Sequence, residues 1–380
     1  MNRKDISGKQ MQSTVALFLM GSSVISSGSN SAKQDTWITV LIAVALMIPF
    51  AWIHAEILKL YPGQNFFCII LRTLGRPVGL IVCMLYVFYF IILGAQVLRT
   101  FFEFIHIGNM IETPMIAIAV IIMATVVFVL SKRLYVLARV GRFVLPVLYL
   151  TIFMTIVLSF KYMTLNNLKP ILHTKLPDFL NGILNSFVLP YGELIVCVPM
   201  FGAMNRKEKL FPTMVKGILL AFVFLFTAMM RNILVLGYSA SVSLFPSYEC
   251  VSVIRIGAFF TRIEIVIGIN LVLAGFIKLG VLVFSSCEGV TRLFGLKDYE
   301  PLIAPFSLLI LTLSLLLHSD TAQVFNFIKI YPVIALPFQV LLPILILIVG
   351  KIHKKMEMKK GGRDPAKTGK ESISPNPQDS

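Results

Sequence analysis

The chain has 380 residues, of which 57% are hydrophobic and only 14% charged, and its 34 Lys and Arg outnumber 18 Asp and Glu for a formal net charge of +16. That balance, with a mean hydropathy of +0.86, excludes an ordinary soluble domain, where about a quarter of the residues are charged. It also argues against a nucleic-acid partner, because the basic residues fall between apolar runs and do not gather into one stripe.

In chain order, apolar stretches occupy about 11–29, 36–58, 79–105, 113–131, 143–160, 181–202, 213–236, 263–286, 301–318 and 332–350. Inside lipid every backbone N–H and C=O must be satisfied within its own segment, so apolar runs of about 20 residues predict helices. Strand alternation is absent, which removes an outer-membrane barrel. Ten candidate spans result, bounded by turn and charge signals such as Tyr61-Pro62-Gly63, Thr113-Pro114 and Lys132-Arg133. The first stretch follows Arg3, Lys4 and Lys9 in the manner of a signal peptide but has no A-x-A-like site, and it is read as a span.

Two spans are interrupted. The first contains Gly21-Ser22-Ser23 and then Ser26-Ser27-Gly28-Ser29, weak helix formers whose hydroxyls compete for backbone bonds. The sixth contains Pro190-Tyr191-Gly192-Glu193, where proline removes a donor and glycine loosens the turn. Span 1 opens one half of the chain and span 6 the other. Corresponding breaks in two five-helix halves predict inverted repeats with a solute site near the bilayer midplane. An amino acid suits such a site: freed N–H groups hold its carboxylate, while freed carbonyls and a Glu hold its ammonium. Ordinary kinks with small packing residues are the plainer alternative.

Ionisable groups at membrane depth cost about 2.5–3.5 kcal/mol each on insertion scales, so Glu193 in span 6 and Lys278 in span 8 are expected to face one internal cavity, linked directly or through solute or water. Arg99 at the outer end of span 3 and the pair Arg262 and Glu264 opening span 8 are read as gating or structural charges. Glu56, His106, Glu112 and His318 lie near span ends, where solvation accounts for them.

With the N-terminus inside, 24 Lys and Arg fall on the cytoplasmic side and nine on the other, with Lys278 inside a helix. The positive-inside rule therefore puts both termini in the cytoplasm and agrees with an even number of spans. The five cysteines (Cys68, Cys83, Cys197, Cys250 and Cys287) lack metal-ligand or disulfide spacing and read as small buried hydrophobes. No nucleophile–base set or metal cluster stands inside the apolar spans, so neither an enzyme nor a cofactor is expected. The segment 351–380 is rich in Lys, Gly, Ser and Pro and is expected to form a basic, disordered cytoplasmic tail after a ten-helix unit over 1–350.

These residues bear a family likeness. Gln10 ahead of helix 1, Gly21, Asp35-x-Trp37, Tyr61-Pro62-Gly63, Arg99, Thr113-Pro114 and Arg139 come first. Leu168-Lys169-Pro170, Gly192-Glu193, Phe245-Pro246, Arg262-x-Glu264, Lys278 and Gly295-Leu296-Lys297-Asp298-Tyr299 follow. In order and spacing the chain, from about Ile6 to Gly350, resembles the spore-germination permeases, the B subunits of endospore germinant receptors within the amino acid/polyamine/organocation (APC) superfamily. Two departures bear on the ligand: helix 1 lacks a second early glycine, and Ser29-Asn30 replaces a frequent proline region.

The resemblance implies an all-α integral membrane protein with a LeuT/APC-like 5+5 inverted repeat and broken helices 1 and 6. It implies a germinant-sensing subunit in the spore inner membrane, partnered by a membrane-embedded A subunit and a C-subunit lipoprotein, triggered by an amino acid. An active amino acid permease is the alternative. By the superfamily's architecture the ligand lies among helices 1, 3, 6 and 8. Depth matching then nominates Gly21, Ser22 and Ser23; Leu93 and Gly94; Leu189, Gly192 and Glu193; and Gly275, Ile277 and Lys278.

Overall fold

The computed structural model describes residues 5–24, 30–108, 115–254, 263–318 and 320–361. Among them the regular structure is helical, apart from one isolated parallel pairing of Ile6 with Met204. The helices are α1 (Gly8–Met20), α2 (Thr36–Leu60), α3 (Phe66–Leu74), α4 (Arg76–Gly108), α5 (Met115–Ser131), α6 (Leu134–Ser159), α7 (Leu176–Val188) and α8 (Leu194–Cys197). They continue with α9 (Leu210–Leu236), α10 (Ser239–Val242), α11 (Pro246–Ser252), α12 (Ile265–Leu293), α13 (Glu300–Leu316), α14 (Thr321–Leu336) and α15 (Leu342–Gly361).

Seven helical stretches among the described residues are long and apolar enough to cross a membrane, and Ile116–Ser131 and Glu300–Leu316 are shorter apolar helices. At 1.5 Å per residue, about 20 residues cover a bilayer's hydrocarbon core. The protein is thus an integral, multi-pass membrane protein. Its outer surface suits lipid: Phe88, Ile121, Phe128, Phe143, Phe153 and Val333 all stand exposed.

Local signals set the helix ends. Ser7 caps α1 by a reciprocal box: its hydroxyl accepts from Gln10 N–H at 3.3 Å, and the Gln10 side chain accepts from Ser7 N–H at 3.0 Å. Asp35, at the mouth of α2, accepts from Leu172 N–H (2.7 Å), Thr174 N–H (3.1 Å) and the Thr174 hydroxyl (2.7 Å), fastening the loop ahead of α7. Arg133, between α5 and α6, pairs with Asp298 at 3.2 Å and Glu300 at 3.0 Å. Tyr299 accepts from Leu134 N–H at 3.1 Å, so that two turns at one end of the bundle are joined.

Helix α1 lies at the centre. Met11 and every residue from Val15 to Met20 are buried, as expected for the half of the helix that is apolar all round. It packs against α9, α6 and α12, and α12 packs in turn against α4 and α13. Close approach requires a missing side chain at Gly217 of α9, where a Cβ would come within 2.7 Å of Val15.

The last helix departs from the expected boundary at residue 350. It continues to Gly361, because Glu357 accepts from the Arg72 guanidinium (3.2 Å) and the Tyr61 hydroxyl (3.1 Å) and ties the first tail residues to the ends of α2 and α3. A π-helical turn, Pro337–Leu341, separates α14 from α15. Such single turns recur at functional positions.

Candidate site at the two helix breaks

Helix α1 stops at Met20 and gives way to a 3-10 turn over Gly21–Val24. Helix α7 stops at Val188. Leu189 is extended (φ −126°, ψ 113°), the conformation forced on a residue that precedes proline, and a 3-10 turn over Tyr191–Glu193 leads into α8. With about three residues per turn, Tyr191, Gly192 and Glu193 point in three directions roughly 120° apart, and each meets a different neighbour.

Glu193 meets Lys278 of α12: Nζ donates to Oε2 at 2.5 Å, with both side chains fully buried. The ammonium also lies over the Phe18 ring, 5.2 Å from its centroid. Gly21 makes room for this lysine, since a Cβ there would overlap the Lys278 methylenes. The second carboxylate oxygen accepts from the Tyr331 hydroxyl at 3.1 Å. Tyr331 and Tyr89 share a hydroxyl contact at 2.8 Å, and Gln339 Nε2 donates to Tyr89 at 3.0 Å and to the Val188 carbonyl at 3.2 Å. If Tyr89 is the donor in its contact with Tyr331, the chain Gln339, Tyr89, Tyr331 runs donor to acceptor toward Glu193, a cooperative arrangement that supports a buried carboxylate. Gly192 faces Gln339, whose carbonyl oxygen is buried without a donor among the described residues.

The other face of the same breaks is uncharged. Ser23, Ser186, Tyr191, Asn232 and Ser247, with apolar walls from α2 and α9, enclose a cavity of about 30 Å³, room for one or two waters. The Ser23, Ser186 and Tyr191 hydroxyls find no partner among the described residues. Behind it lies Arg231, buried and donating to Thr155 at 2.6 Å and to Asn232 at 2.8 Å.

A wide vestibule of about 1800 Å³ opens at the end of the bundle that carries the start of α1. At its wall Asn65 donates to the Pro199 carbonyl (3.3 Å) and to Glu288 (3.1 Å), and Glu288 pairs with Arg292 at 2.7 Å. The pairing of Ile6 with the segment after α8, through Ile6 N–H to Ala203 O (3.1 Å) and Asn205 N–H to Ile6 O (3.0 Å), fastens the start of α1 to the segment that follows α8.

Of the residues nominated from sequence, Gly21, Glu193 and Lys278 converge, and Gly192 faces Gln339. Ser23 and Leu189 line the neutral cavity instead. Leu93 and Ile277 are buried, while Gly94 faces Ile310 and Gly275 faces Phe101, both close helix contacts. The Ser22 side chain, His106 side chain, Glu112 and Arg262 lie outside the described residues, and Glu264 is buried at the start of α12. Arg99 pairs one helical turn away with buried Glu103 at 2.7 Å, and Glu103 also accepts from Thr321 at 2.6 Å.

His318 corrects an expectation: it is not solvated but buried, 2.6 Å from Gln96 Oε1.

Sequence reasoning passed over Tyr89, Tyr331 and Gln339. An amide and two phenols inside apolar spans were the available signal, since buried tyrosines need hydroxyl partners.

The family model described as spore germination protein matches residues 5–323. Spore germination protein KB of Bacillus subtilis (strain 168) is 26% identical over 378 residues, covering 97% of this chain and 100% of that protein. The putative spore germination protein YfkT of the same organism is 25% identical over 323 residues, covering 84% of this chain and 88% of its own. Among solved structures the chain is similar to Mhp1, a nucleobase-cation-symport-1 family transporter in a closed conformation with bromovinylhydantoin bound, at a TM-score of 0.62 and 11% identity over 95% of this chain and 93% of that one. It is also similar to the Eremococcus coleocola manganese transporter, at 0.58 and 13% identity over 94% and 88%. These likenesses show a transporter fold.

Proposed function

The chain belongs to the spore germination protein family of permease-like membrane proteins, and from that premise we propose that it is the solute-sensing subunit of a spore germinant receptor. In this reading ten spans form a 5+5 inverted repeat with breaks in the first and sixth, both termini are cytoplasmic, and the membrane is the inner membrane of the spore. The partners are a membrane-embedded A subunit and a lipoprotein C subunit, and the ligand is an amino acid bound at the midplane.

One observation carries the reading: Glu193 and Lys278 pair with no exposure, where the two helix breaks meet. The pair is the electrostatic complement of a zwitterion. An amino acid would exchange one internal ion pair for two, ammonium to Glu193 and carboxylate to Lys278, leaving no buried charge uncompensated. A simple amine or a simple carboxylate would strand one charge, which costs several kcal/mol. The Gln339 carbonyl oxygen beside Gly192 is a further acceptor for the ammonium. The breaks supply the movement, because a receptor needs only two states that bind the ligand differently.

The test is a dose–response of spores to single amino acids with Glu193→Gln. Loss of response with normal membrane insertion is expected; an unaltered curve removes the proposal. The transporter fold of the solved relatives favours a second reading, an active amino acid permease. Uptake of labelled amino acid into vesicles holding this chain alone separates the two, since binding without flux is the receptor's signature.

A further inference from the structure

Three features make one point beside the first break attractive to a positive charge. The Glu193 carboxylate is within contact distance, the Phe18 ring presents its electron-rich face at 5.2 Å, and the carbonyl end of α1 stops at Met20, one residue before the glycine against which the Lys278 stem rests. A helix C-terminus, an aromatic face and a carboxylate each favour a cation. Together they form a cation site within the broken-helix centre. Gly21 is part of its construction, for any side chain at that position would collide with the lysine methylenes that carry the ammonium in from α12.

We propose that this is a monovalent-cation site whose resident is the chain's own Lys278 ammonium, a covalently tethered ion in place of a dissolved one. A tethered ion remains in the protein after each binding event, so the centre responds to its solute without Na⁺ or K⁺, and no cation gradient drives solute through this place. The inference uses the centre described under the proposed function but not the identity of its solute. It favours sensing over cation-coupled uptake.

The experiment measures the thermal midpoint of the full chain in lipid nanodiscs at equal ionic strength in choline, sodium, potassium, ammonium or methylammonium chloride. The wild-type midpoint is expected to be the same in all five. Lys278→Ala, extracted and kept in ammonium, is expected to lose most of its stability when exchanged into choline and to regain more than half of the loss, saturably, in ammonium or methylammonium. Lys278→Ala combined with Glu193→Gln, which removes both charges, is expected to show no preference among the salts.

A saturable rise of the wild-type midpoint in sodium or potassium over choline overturns the proposal. So does a Lys278→Ala protein that behaves alike in choline and ammonium, or that cannot be recovered folded in either. Failure of the wild type to bind any amino acid sinks the sensing reading instead and leaves these midpoints untouched.

Discussion

The two broken helices divide two regions of opposite character. On one side Glu193 and Lys278 are fully buried, and both carboxylate oxygens have partners. On the other, three hydroxyls face a small neutral cavity without partners among the described residues. The same short 3-10 turns supply both sides: Gly21 and Glu193 face the charges, Ser23 and Tyr191 the cavity. The contrast is one of satisfaction as well as of charge. The charged side ties the second break to α12, because separating the buried pair would strand both charges. The neutral side adds no such tie among the described residues, since its three hydroxyls bond neither backbone nor side chain there.

The sharpest way to break this contrast is to unbalance the charged side. Lys278→Met strands a buried carboxylate and is expected to destabilise the protein by about 3–5 kcal/mol, read as the thermal midpoint in nanodiscs. Adding Glu193→Gln should recover most of the loss, because a neutral pair strands no charge. If the double variant is no more stable than the single, the two residues do not act as a pair. Tyr331→Phe removes the hydrogen bonds to both Glu193 and Tyr89 and should cost about 1.5–3 kcal/mol, the range for bonds to charged groups.

A glycine tests whether the sides are rigidly separated. Gly192→Ala pushes a methyl into the Gln339 amide and should cost about 1–3 kcal/mol through overpacking. Gly192→Ala with Gln339→Ala should cost less than the sum of the two single changes, since the second opens the space that the first needs. Strict additivity would mean that the turn has other room to shift.

The charged side was legible in the sequence, and the neutral side only through Ser23 and Leu189, nominated there as ligand contacts. Glu193 and Lys278 announced themselves because a charge inside an apolar run has few stable options other than a partner. Pro190 and the Gly21-Ser22-Ser23 run marked where helical bonding fails. Depth matching, in contrast, gave Gly94 and Gly275, which the structure turns toward Ile310 and Phe101. Depth specifies height along a helix but not azimuth. Tyr89, Tyr331 and Gln339 went unread for a related reason. Their azimuths are no more visible than those of the glycines, and Gln339 lies in the π-helical turn at Pro337–Leu341, which is not encoded in a 3.6-residue period. His318 was misjudged from its position near a span end, because sequence position does not show that Gln96 and Phe327 cover it.

The smallest effect is the most discriminating for the neutral side. Ser186 is buried and its hydroxyl has no partner among the described residues. Removing an unsatisfied polar group relieves a desolvation penalty, whereas removing one half of a satisfied bond leaves its partner stranded. Ser186→Ala should therefore change stability by no more than about 0.5 kcal/mol, and in the stabilising direction if the hydroxyl is truly unsatisfied. A loss above about 1.5 kcal/mol would mean that Ser186 holds a bond in the native state, to a trapped water or to the helix 1 segment. The contrast between a satisfied and an unsatisfied face would then give way to one between charged and hydrated faces, with both breaks held from either side.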